Sequence, residues 1–428
     1  MSTVVLAYSG GLDTSVAIRW IKEHYDLDVI TLTIDVGNER DLPAIAARAQ
    51  QIGAVKAMVV DARADFVRYF VGPALQAGAI YEGSYPLATA LARPLIARLL
   101  VEVARAEGAV AVAHGCTGKG NDQVRFDVSI NTLAPDLKII APVREWSMTR
   151  DNEIAYAAEH SIPIQVSTAN PYSVDQNLWG RSVECGILED PWAEPPEEVF
   201  AWTANPDKLE QVEPTYIEIM FQHGIPIALN GEELDSVLLI ETLNKHAGKY
   251  GIGRIDHIEN RLVGIKSREV YEAPAAVVLH TAHQALESLT LSRDQARFKE
   301  VVSAEYARLI YNGQWYSALH QDLAAYVQST QRFVSGTVRV KLSRGHCAVV
   351  GRQSEHSLYN HSLATYDSGD QFDHNAALGF IKLWGLPLST QAQAQLLPSV
   401  GIEGNLLSLD TPTHHPGAIK NTPPGGRP

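Results

Sequence analysis

The stretch Ser9-Gly10-Gly11-Leu12-Asp13-Thr14-Ser15 separates an apolar run at residues 4–7 from a second apolar run at residues 16–21. This order predicts a buried strand, a glycine turn and a helix. The two glycines allow a sharp turn and a close approach of the backbone to a ligand. Hydroxyl groups and the free N–H groups at the helix start form a site for an anion. The stretch therefore predicts phosphate binding, although it matches neither the Walker A loop nor the dinucleotide fingerprint.

The first part of the chain alternates strand and helix patterns. Its strand-like runs are apolar throughout, as expected for parallel strands covered on both faces. They are predicted at Val4–Ala7, Val29–Ile34, Val55–Val60, Ala109–Ala113 and Lys138–Ala141. One intervening helix is capped by Asp41, and another contains Pro94, which predicts a kink or a division of that helix. The alternation predicts a doubly wound, mostly parallel α/β sheet with its ligand beyond the carboxyl ends of the strands.

The second part has a different pattern and is predicted to be α+β. Alternating side chains predict hairpins at residues 217–229 and 337–352. Helical patterns are predicted at residues 233–247, 275–290, 294–312 and 316–330. Residues 166–200 show weak periodicity and are interpreted as a connector that carries polar site residues. The stretch from about Gly401 is rich in proline and glycine, which predicts a disordered tail or an extended arm.

Composition excludes several classes of protein. The net charge of −14 argues against general binding to nucleic acid or to membrane surfaces, so positive charge for a phosphate must be local, with Arg93, Lys119 and Arg125 as candidates. Three widely spaced cysteines argue against a zinc knuckle and a secreted disulfide scaffold; Cys116 is either reactive or a small packing residue. Because neither a signal peptide nor a membrane span is predicted, we expect a cytoplasmic protein.

A second glycine-rich loop follows the fourth predicted strand. It reads His114-Gly115-Cys116-Thr117-Gly118-Lys119-Gly120-Asn121-Asp122-Gln123-Val124-Arg125. Like the first loop, it lies at the carboxyl end of a predicted strand, where polar groups on a flexible backbone can meet a ligand. The two loops together predict a cleft with room for a nucleotide and a second substrate. The alternatives are a hydroxyl-capped strand–turn–helix for the first loop and a solvated surface loop for the second.

These residues resemble the argininosuccinate synthase family, whose first loop is shared with other ATP pyrophosphatases. The matching motifs follow the family order from residue 5 to about residue 360. Besides the two loops they are Tyr85 with Leu91–Pro94, Asn170–Ser173, Asn177–Ser182, Gly253–Asp256, Glu259–Arg261, and Lys266–Arg268 with Tyr271 and Glu272.

The resemblance implies an ATP-dependent ligation in arginine biosynthesis or the urea cycle. Citrulline, aspartate and ATP become argininosuccinate, AMP and pyrophosphate through a citrullyl-adenylate, with Mg²⁺ accompanying the nucleotide. It also implies a homotetramer held partly by C-terminal arms. The predicted parts then become an ATP-binding domain at residues 1–165, a synthetase and multimerisation domain at 166–365, and an arm with a tail at 366–428.

The resemblance assigns roles to individual residues. Three are expected to act by positioning, with no covalent nucleophile: Asn121, Asp122 and Arg125. ATP is assigned to Ala7, Tyr8, Ser9, Gly10, Gly11, Leu12, Asp13, Thr14, Ser15, Ile34 and Gly115. Aspartate is assigned to Thr117, Asn121 and Asp122. Citrulline is assigned to Tyr85, Asn121, Arg125, Ser173, Ser182, Glu259 and Tyr271. The two tyrosines could instead be core aromatics, the two serines turn or cap residues, and Glu259 a solvated charge.

Two positions leave questions open. Ala90 stands where the family often has a serine or threonine that contacts citrulline, and Thr89 is expected to point elsewhere on the helix. Asp13 either caps the first helix or helps to hold magnesium, and no metal ligand is assigned.

Three other functions are compatible with the first loop alone. A tRNA thiolase would need catalytic cysteines and a basic surface, and a glutamine-dependent synthetase would need a glutaminase domain. A non-catalytic nucleotide-binding regulator is the alternative from another class.

Overall fold

The structure of the chain is a computed structural model that describes residues 2–37, 41–146, 148–163, 171–209 and 212–396. The motif residue Asn170 and the predicted tail from Gly401 lie outside the described residues. The chain divides into two compact units, Met1–Tyr359 and Asn360–Pro428.

The first five strands form one parallel sheet. They are β1 (Thr3–Ala7), β2 (Asp28–Asp35), β3 (Lys56–Asp61), β4 (Ala111–Ala113) and β5 (Lys138–Ile140). Their order is β3-β2-β1-β4-β5, and each neighbouring pair is parallel. The strand order reverses at β1 and β4, which places a crevice at the carboxyl ends of these two strands.

Eight helices accompany this sheet in the described residues. They are α1 (Leu12–Tyr25), α2 (Leu42–Ile52), α3 (Arg63–Phe66), α4 (Gly72–Ala77), α5 (Ala88–Ala106), α6 (Asn121–Leu133), α7 (Pro142–Glu145) and α8 (Arg150–Glu159). A π-helical turn at Val67–Val71 joins α3 to α4.

The parallel sheet is covered on both faces, which confirms the doubly wound prediction. Val4 and Leu6 of β1 belong to one buried cluster with Ile18 of α1. The intervening Val5 belongs to a separate cluster with Leu95 of α5. Because successive strand residues point to opposite faces, the continuous apolar run serves both clusters.

Helix α5 continues through Pro94 without division, so a divided helix was the wrong alternative. The predicted Asp41 cap is confirmed, since its side chain accepts a hydrogen bond from the Ala44 N–H at 3.0 Å.

The rest of the first unit contains antiparallel sheets and four longer helices, as predicted for an α+β region. Its strands are β6 (Ser173–Asn177), β7 (Gly180–Glu184), β8 (Thr215–Gln222), β9 (Ile225–Leu229), β10 (Glu232–Glu233), β11 (Arg254–Asn260), β12 (Lys266–Glu272), β13 (Gly336–Ser343) and β14 (His346–Gln353). Its helices are α9 (Ser236–Gly248), α10 (Pro274–Thr290), α11 (Arg293–Tyr311) and α12 (Ala318–Thr330). One sheet has the order β10-β9-β8-β13-β14 and contains both predicted hairpins.

A four-stranded sheet, β11-β12-β7-β6, corrects the interpretation of residues 166–200 as a connector. Strands β6 and β7 form an antiparallel hairpin inside that range. Their sequences, SVDQN and GRSVE, lack an apolar alternation because several of their polar side chains line a cleft where a regular strand would place apolar core residues. Period-two hydrophobicity therefore gives no signal for this hairpin.

The second unit contains α13 (His361–Ala364) and α14 (His374–Gln391). The Asp373 carboxylate caps α14 by accepting hydrogen bonds from the Asn375 and Ala376 N–H groups. Large apolar side chains of α14 are exposed, among them Ile381, Trp384 and Leu388. None of the described helices is long and apolar enough to cross a lipid bilayer.

The Glu272 carboxylate at the end of β12 organises the loop that follows the 3-10 turn at Glu197–Val199. It is fully buried and accepts hydrogen bonds from the backbone N–H groups of residues 201–203 at 2.8–2.9 Å. The Thr203 hydroxyl and an N–H of the largely buried Arg181 also donate to it, at 2.7 and 2.8 Å. These five hydrogen bonds together offset the free-energy cost of burying the charged carboxylate, which a single hydrogen bond would not do.

We expect Glu272→Ala to lower the free energy of unfolding by about 3–5 kcal/mol, because it leaves a buried arginine without its counter-charge and several N–H groups without an acceptor. Urea unfolding followed by tryptophan fluorescence measures this change. Glu218→Ala is the control, since Glu218 pairs with Arg339 on the surface and its loss should cost about 1 kcal/mol or less. Equal effects of the two substitutions would contradict the role of Glu272.

Candidate active site

A cleft of about 450 Å³ lies where β1 and β4 end. Its lining combines both glycine loops of the parallel sheet with residues of the β6–β7 and β11–β12 hairpins. The first loop contributes Ala7, Tyr8, Ser9, Asp13 and Thr14, and the second contributes Gly115, Cys116, Thr117 and Gly120. The two loops that the sequence places at adjacent strand ends therefore do share one cleft.

The first loop turns at Gly10, whose φ of +75° is a left-handed conformation that suits glycine. The Ser9 and Thr14 hydroxyls lie 3.1 Å apart, and Arg48 donates to the Gly10 carbonyl at 3.0 Å. Helix α1 begins directly after Gly11, so its free N–H groups face the same end of the sheet. The hydroxyls and N–H groups together suit a phosphate, whereas Arg48 does not line the cleft and supports the turn from outside it.

Four residues assigned to ATP do not line the cleft: Gly10, Gly11, Leu12 and Ser15. The two glycines shape the turn. The Ser15 hydroxyl is buried and hydrogen-bonds to the Tyr8 hydroxyl at 3.1 Å, so it supports the loop from behind.

Asp13 does not cap α1, because the N-cap position is Gly11 and no side-chain cap is formed there. Its carboxyl group instead hydrogen-bonds to Glu153 on α8. Burial and this contact raise the pKa of Glu153 to about 8. A protonated Glu153 can therefore donate to the Asp13 carboxylate and hold it at the edge of the cleft.

The second loop packs directly against the first. A Cβ on Gly115 would lie only 2.8 Å from Cγ2 of Thr14, so a side chain at this position would push the loops apart. The buried His114 accepts from the Cys116 N–H with Nδ1, which leaves Nε2 to donate to Asp127 at 2.7 Å. This contact fixes the start of the loop.

A chain of alternating charges crosses the cleft. Arg93 donates to Asp122 through Nε at 2.9 Å and Nη2 at 2.6 Å, and Nη2 also pairs with Asp175 of β6. Arg125 donates to the other Asp122 oxygen at 2.9 Å and to the Tyr311 carbonyl at 3.0 Å. Although burial alone would raise the pKa of Asp122, the charges of Arg93 and Arg125 lower it to about 2. Asp122 is therefore ionised throughout the physiological range.

The buried carboxylate of Glu259 joins the parallel-sheet region to the antiparallel region. It accepts hydrogen bonds from the Tyr271 hydroxyl at 2.9 Å, the Tyr311 hydroxyl at 2.8 Å and the Asn121 amide at 3.3 Å. Tyr271 also stacks on Tyr85, with ring centroids 4.2 Å apart. Glu259 is 2% exposed, which excludes the alternative of a solvated charge.

Two further carboxylates, Glu184 and Glu269, line the cleft beside Arg261, which hydrogen-bonds to both. Burial and the charges of Glu259 and Glu184 raise the pKa of Glu269 to about 8, although Arg261 opposes the shift. This end of the cleft is therefore short of positive charge and suits a cationic group such as an ammonium.

Every residue that the resemblance assigns to citrulline or aspartate lines this one cleft. They are Tyr85, Thr117, Asn121, Asp122, Arg125, Ser173, Ser182, Glu259 and Tyr271; Ile34 and Gly115 of the ATP set line it as well. The tyrosines are both buried and cleft-lining, so the two interpretations offered for them are compatible.

The expectation for Thr89 was wrong. Thr89 lines the cleft, and its Oγ1 lies 2.7 Å from the Tyr85 hydroxyl, whereas Ala90 is fully buried in the core. Thr89, Arg93 and Ile96 share one face of α5, with spacings of four and three residues, and all three line the cleft. That spacing is the signal by which Thr89 and Arg93 could have been grouped from the sequence.

The structure also bears on Lys119 and Cys116 of the second loop. Lys119 is exposed and does not line the cleft, so it is not one of the local cations there. Burial strongly raises the pKa of the Cys116 thiol, which favours the packing role over a reactive thiol. Polar cleft residues to which the sequence assigns no substrate include Thr89, Asp175, Glu184, Arg261 and Glu269, together with Arg93, which is predicted only as a general source of positive charge.

Comparison with known proteins is consistent with this geometry. Residues 3–163 match the model of the arginosuccinate synthase N-terminal HUP domain, and residues 172–391 match the arginosuccinate synthase C-terminal domain. Argininosuccinate synthase from a Dehalococcoides mccartyi strain is 61% identical over 396 residues, covering 92% of this chain and 96% of that protein. The enzymes of the same name from Brevibacillus brevis and Symbiobacterium thermophilum are 59% and 58% identical, covering 91% of this chain in both cases and 93% and 98% of theirs.

Proposed function

The chain belongs to the argininosuccinate synthase family, and we propose that the cleft between its two glycine loops is where that family's reaction takes place. The enzyme is an ATP-dependent carbon–nitrogen ligase of arginine biosynthesis, which joins L-citrulline to L-aspartate and releases AMP and pyrophosphate. The observation that carries the location is that one cleft collects the loop suited to phosphate and every residue assigned to the two amino acids.

The chemistry requires activation of a weak electrophile. Resonance makes the ureido carbon of citrulline unreactive, and it has no good leaving group. The ureido oxygen attacks the α-phosphate of ATP, the α–β phosphoanhydride bond breaks, and pyrophosphate leaves with that electron pair. The aspartate amine then attacks the activated carbon, loses a proton, and displaces AMP with the oxygen. Such displacements need alignment and charge neutralisation more than a protein nucleophile.

We assign the phosphates to the first loop. The Ser9 and Thr14 hydroxyls and the N-terminus of α1 would hold the pyrophosphate part, and Arg48 supports the turn through the Gly10 carbonyl. Ile34, 8% exposed at the end of β2, would contact the adenine side. Gly115 keeps the second loop close enough to touch the same nucleotide.

We assign the α-ammonium and α-carboxylate groups of citrulline to the end of the cleft that is lined by Glu259 and Arg125. Glu259 already accepts three hydrogen bonds and would attract the ammonium group, with Ser173, Ser182 and the two tyrosines around it. Arg125 would bind the carboxylate through its remaining N–H groups. We assign Asn121 to both amino acids. Its amide N–H groups already donate to Glu259 and Tyr311 and its carbonyl accepts from the Leu262 N–H, so toward a substrate it would offer the second lone pair of that carbonyl.

Magnesium is proposed to enter with the nucleotide. Among the described residues no group of three or more His, Cys, Asp or Glu side chains could hold a metal ion by itself. Asp13 offers one carboxylate beside the phosphate loop, which fits the habit of Mg²⁺ to bind one carboxylate together with substrate phosphates. The ion would neutralise charge on the phosphates.

We further propose the domain division given by the sequence, with ATP bound by residues 1–165, synthetase residues at 166–365 and an arm from 366. A cytoplasmic location is proposed as well. The three free cysteines fit a reducing compartment.

The function is tested by pyrophosphate release from ATP. We expect release to depend on citrulline, and argininosuccinate to form only when aspartate is also present. Coupled detection of pyrophosphate together with chromatographic detection of argininosuccinate measures both steps. Pyrophosphate release that needs no citrulline would overturn the proposed function.

The Arg125→Ala variant should raise the KM for citrulline by about 10- to 100-fold, because a charge-assisted carboxylate contact is lost. ATP binding, followed by equilibrium titration, should persist. Arg105→Ala is the matched control, since Arg105 pairs with Asp136 on the surface and should leave both quantities unchanged. An unchanged KM for citrulline in Arg125→Ala would remove Arg125 from the site.

We propose that the protein is a homotetramer in which α14 contacts other copies. Ile381, Trp384 and Leu388 recur at spacings of three and four residues, so they share one helix face, and all are more than half exposed. A continuous apolar face of this kind is typical of an interface between copies.

Light scattering should therefore give about four times the mass of the 46.7-kDa chain. Ile381→Glu combined with Trp384→Glu should yield smaller species, because a charge on the apolar face opposes association. Lys382→Glu, on the same helix, is the control, because it changes the net charge by the same two units without altering Ile381 or Trp384, and it should leave the mass unchanged. A monomeric wild-type protein, or a tetramer that survives the double substitution, would contradict the proposal.

A further inference from the structure

Tyr311, the last residue of α11, contacts three residues of the cleft without lining the cleft itself. Its hydroxyl donates to Glu259 at 2.8 Å and accepts from the Asn121 amide at 2.7 Å. Its backbone carbonyl accepts from Nε of Arg125 at 3.0 Å. Its ring lies under the same guanidinium, with Cζ of Arg125 4.9 Å from the ring centroid. One buried residue therefore holds three groups that face the proposed substrates.

The Tyr311 hydroxyl keeps its proton throughout the physiological range. Burial and the neighbouring charge of Glu259 raise the pKa of Tyr311 well above its ordinary value, although Arg125 opposes the shift. The hydroxyl therefore stays a donor to the carboxylate, and its lone pairs remain available to the Asn121 amide. The directions of both hydrogen bonds are fixed in this way.

A second aromatic ring restrains the ring of Tyr311. Tyr81 stacks on it with ring centroids 3.7 Å apart and planes inclined by only 5°. The Tyr81 hydroxyl donates to the carbonyl of Asn260, the residue after Glu259, at 3.2 Å. The Tyr81 N–H donates to the Tyr85 carbonyl at 2.8 Å. The Tyr311 ring is therefore fixed relative to two chain segments that carry residues assigned to citrulline.

The backbone that follows α11 packs against the residue that the Tyr311 carbonyl holds. A Cβ on Gly313 would lie only 2.8 Å from Cα of Arg125. This position has no room for a side chain, so the end of α11 lies directly against α6. The close approach brings the Tyr311 carbonyl within hydrogen-bond distance of Arg125.

The two groups that Tyr311 joins carry opposite charges. Arg125 is assigned to the carboxylate of citrulline, and Glu259 is assigned to its ammonium group. An α-amino acid carries both of these groups on one carbon atom, so their partners must stand at a fixed separation. A rigid phenol that contacts the guanidinium with its face and the carboxylate with its hydroxyl can set that separation.

Resting on the proposed function, we propose that Tyr311 is a positioning residue for citrulline, which holds Arg125 and Glu259 at the separation that an α-amino acid requires. The same hydroxyl holds the Asn121 amide. Because Tyr311 does not line the cleft, it acts through these three residues and not by contact with the substrate.

Two substitutions separate the hydroxyl from the ring. Tyr311→Phe should raise the KM for citrulline by about 10-fold, because Glu259 loses the donor of a charge-assisted hydrogen bond. Tyr311→Leu also removes the ring under Arg125 and should raise this KM by about 100-fold. The kcat at saturating citrulline and the KM for ATP should stay within about twofold of the wild-type values, because Tyr311 bonds to residues assigned to the amino acids.

A double substitution tests whether Tyr311 acts through Arg125. Once Arg125→Ala has removed the guanidinium, the Tyr311 ring has no cation to hold. Tyr311→Leu should therefore raise the KM for citrulline by a smaller factor in the Arg125→Ala background than in the wild-type protein. Equal factors in the two backgrounds would overturn the inference.

Tyr306→Phe is the matched control. Tyr306 lies on the same helix, is as buried as Tyr311, and packs against Trp315 and His320, none of which lines the cleft. Its KM for citrulline should stay at the wild-type value. A rise equal to that in Tyr311→Phe would show a general effect on α11 and contradict the proposed role.

Two further outcomes would also overturn the inference. One is an unchanged KM for citrulline in Tyr311→Phe. The other is a fall in kcat and a rise in the KM for ATP as large as the change in the KM for citrulline, which would show a general disturbance of the fold. Wild-type enzyme that forms no citrulline-dependent pyrophosphate would instead overturn the proposed function, and the inference with it.

Discussion

The site depends on the buried carboxylate of Glu259, which ties an antiparallel hairpin to the parallel sheet. It accepts hydrogen bonds from Tyr271 of its own sheet, from Tyr311 of α11 and from Asn121 at the start of α6. Because a buried carboxylate is stable only when it is fully compensated, these three elements must meet at one point. That meeting closes the second wall of the cleft against the glycine loops, which belong to a sheet formed much earlier in the chain.

The charges that line the cleft are mostly negative. Among the described residues, six carboxyl groups and three arginines line it, namely Asp13, Asp122, Asp175, Glu184, Glu259 and Glu269 with Arg93, Arg125 and Arg261. An excess of negative charge is unfavourable for a bare triphosphate. In the proposed complex, a nucleotide-bound magnesium ion would offset part of the phosphate charge, and the ammonium groups of the two amino acids would face the carboxylates of the cleft. The protein can thus remain acidic overall, with a net charge of −14, and still bind ATP.

The sequence predicted the elements that have strong local signals. Apolar runs located the parallel strands to within about two residues, and alternation located the two hairpins of the five-stranded antiparallel sheet. The β6–β7 hairpin escaped prediction because its polar residues face a cleft, where the usual inside-outside pattern does not hold. Thr89 gives a second example, because its place in the cleft depends on the helix face that it shares with Arg93 and not on its neighbour Ala90 in the sequence.

By itself the sequence determined the glycine loop at Ser9–Ser15, its strand and helix, and the motifs by which the family is recognised, since these depend on residues close together in the chain. Only the tertiary structure decided which distant groups become partners. Arg93 meets Asp175 across 82 positions, and Asn121 meets Glu259 across 138. Such pairs leave no periodic signal, because they are set by how a parallel sheet and an antiparallel hairpin pack together. This packing encloses the two glycine loops in the cleft that we propose for ATP and the two amino acids.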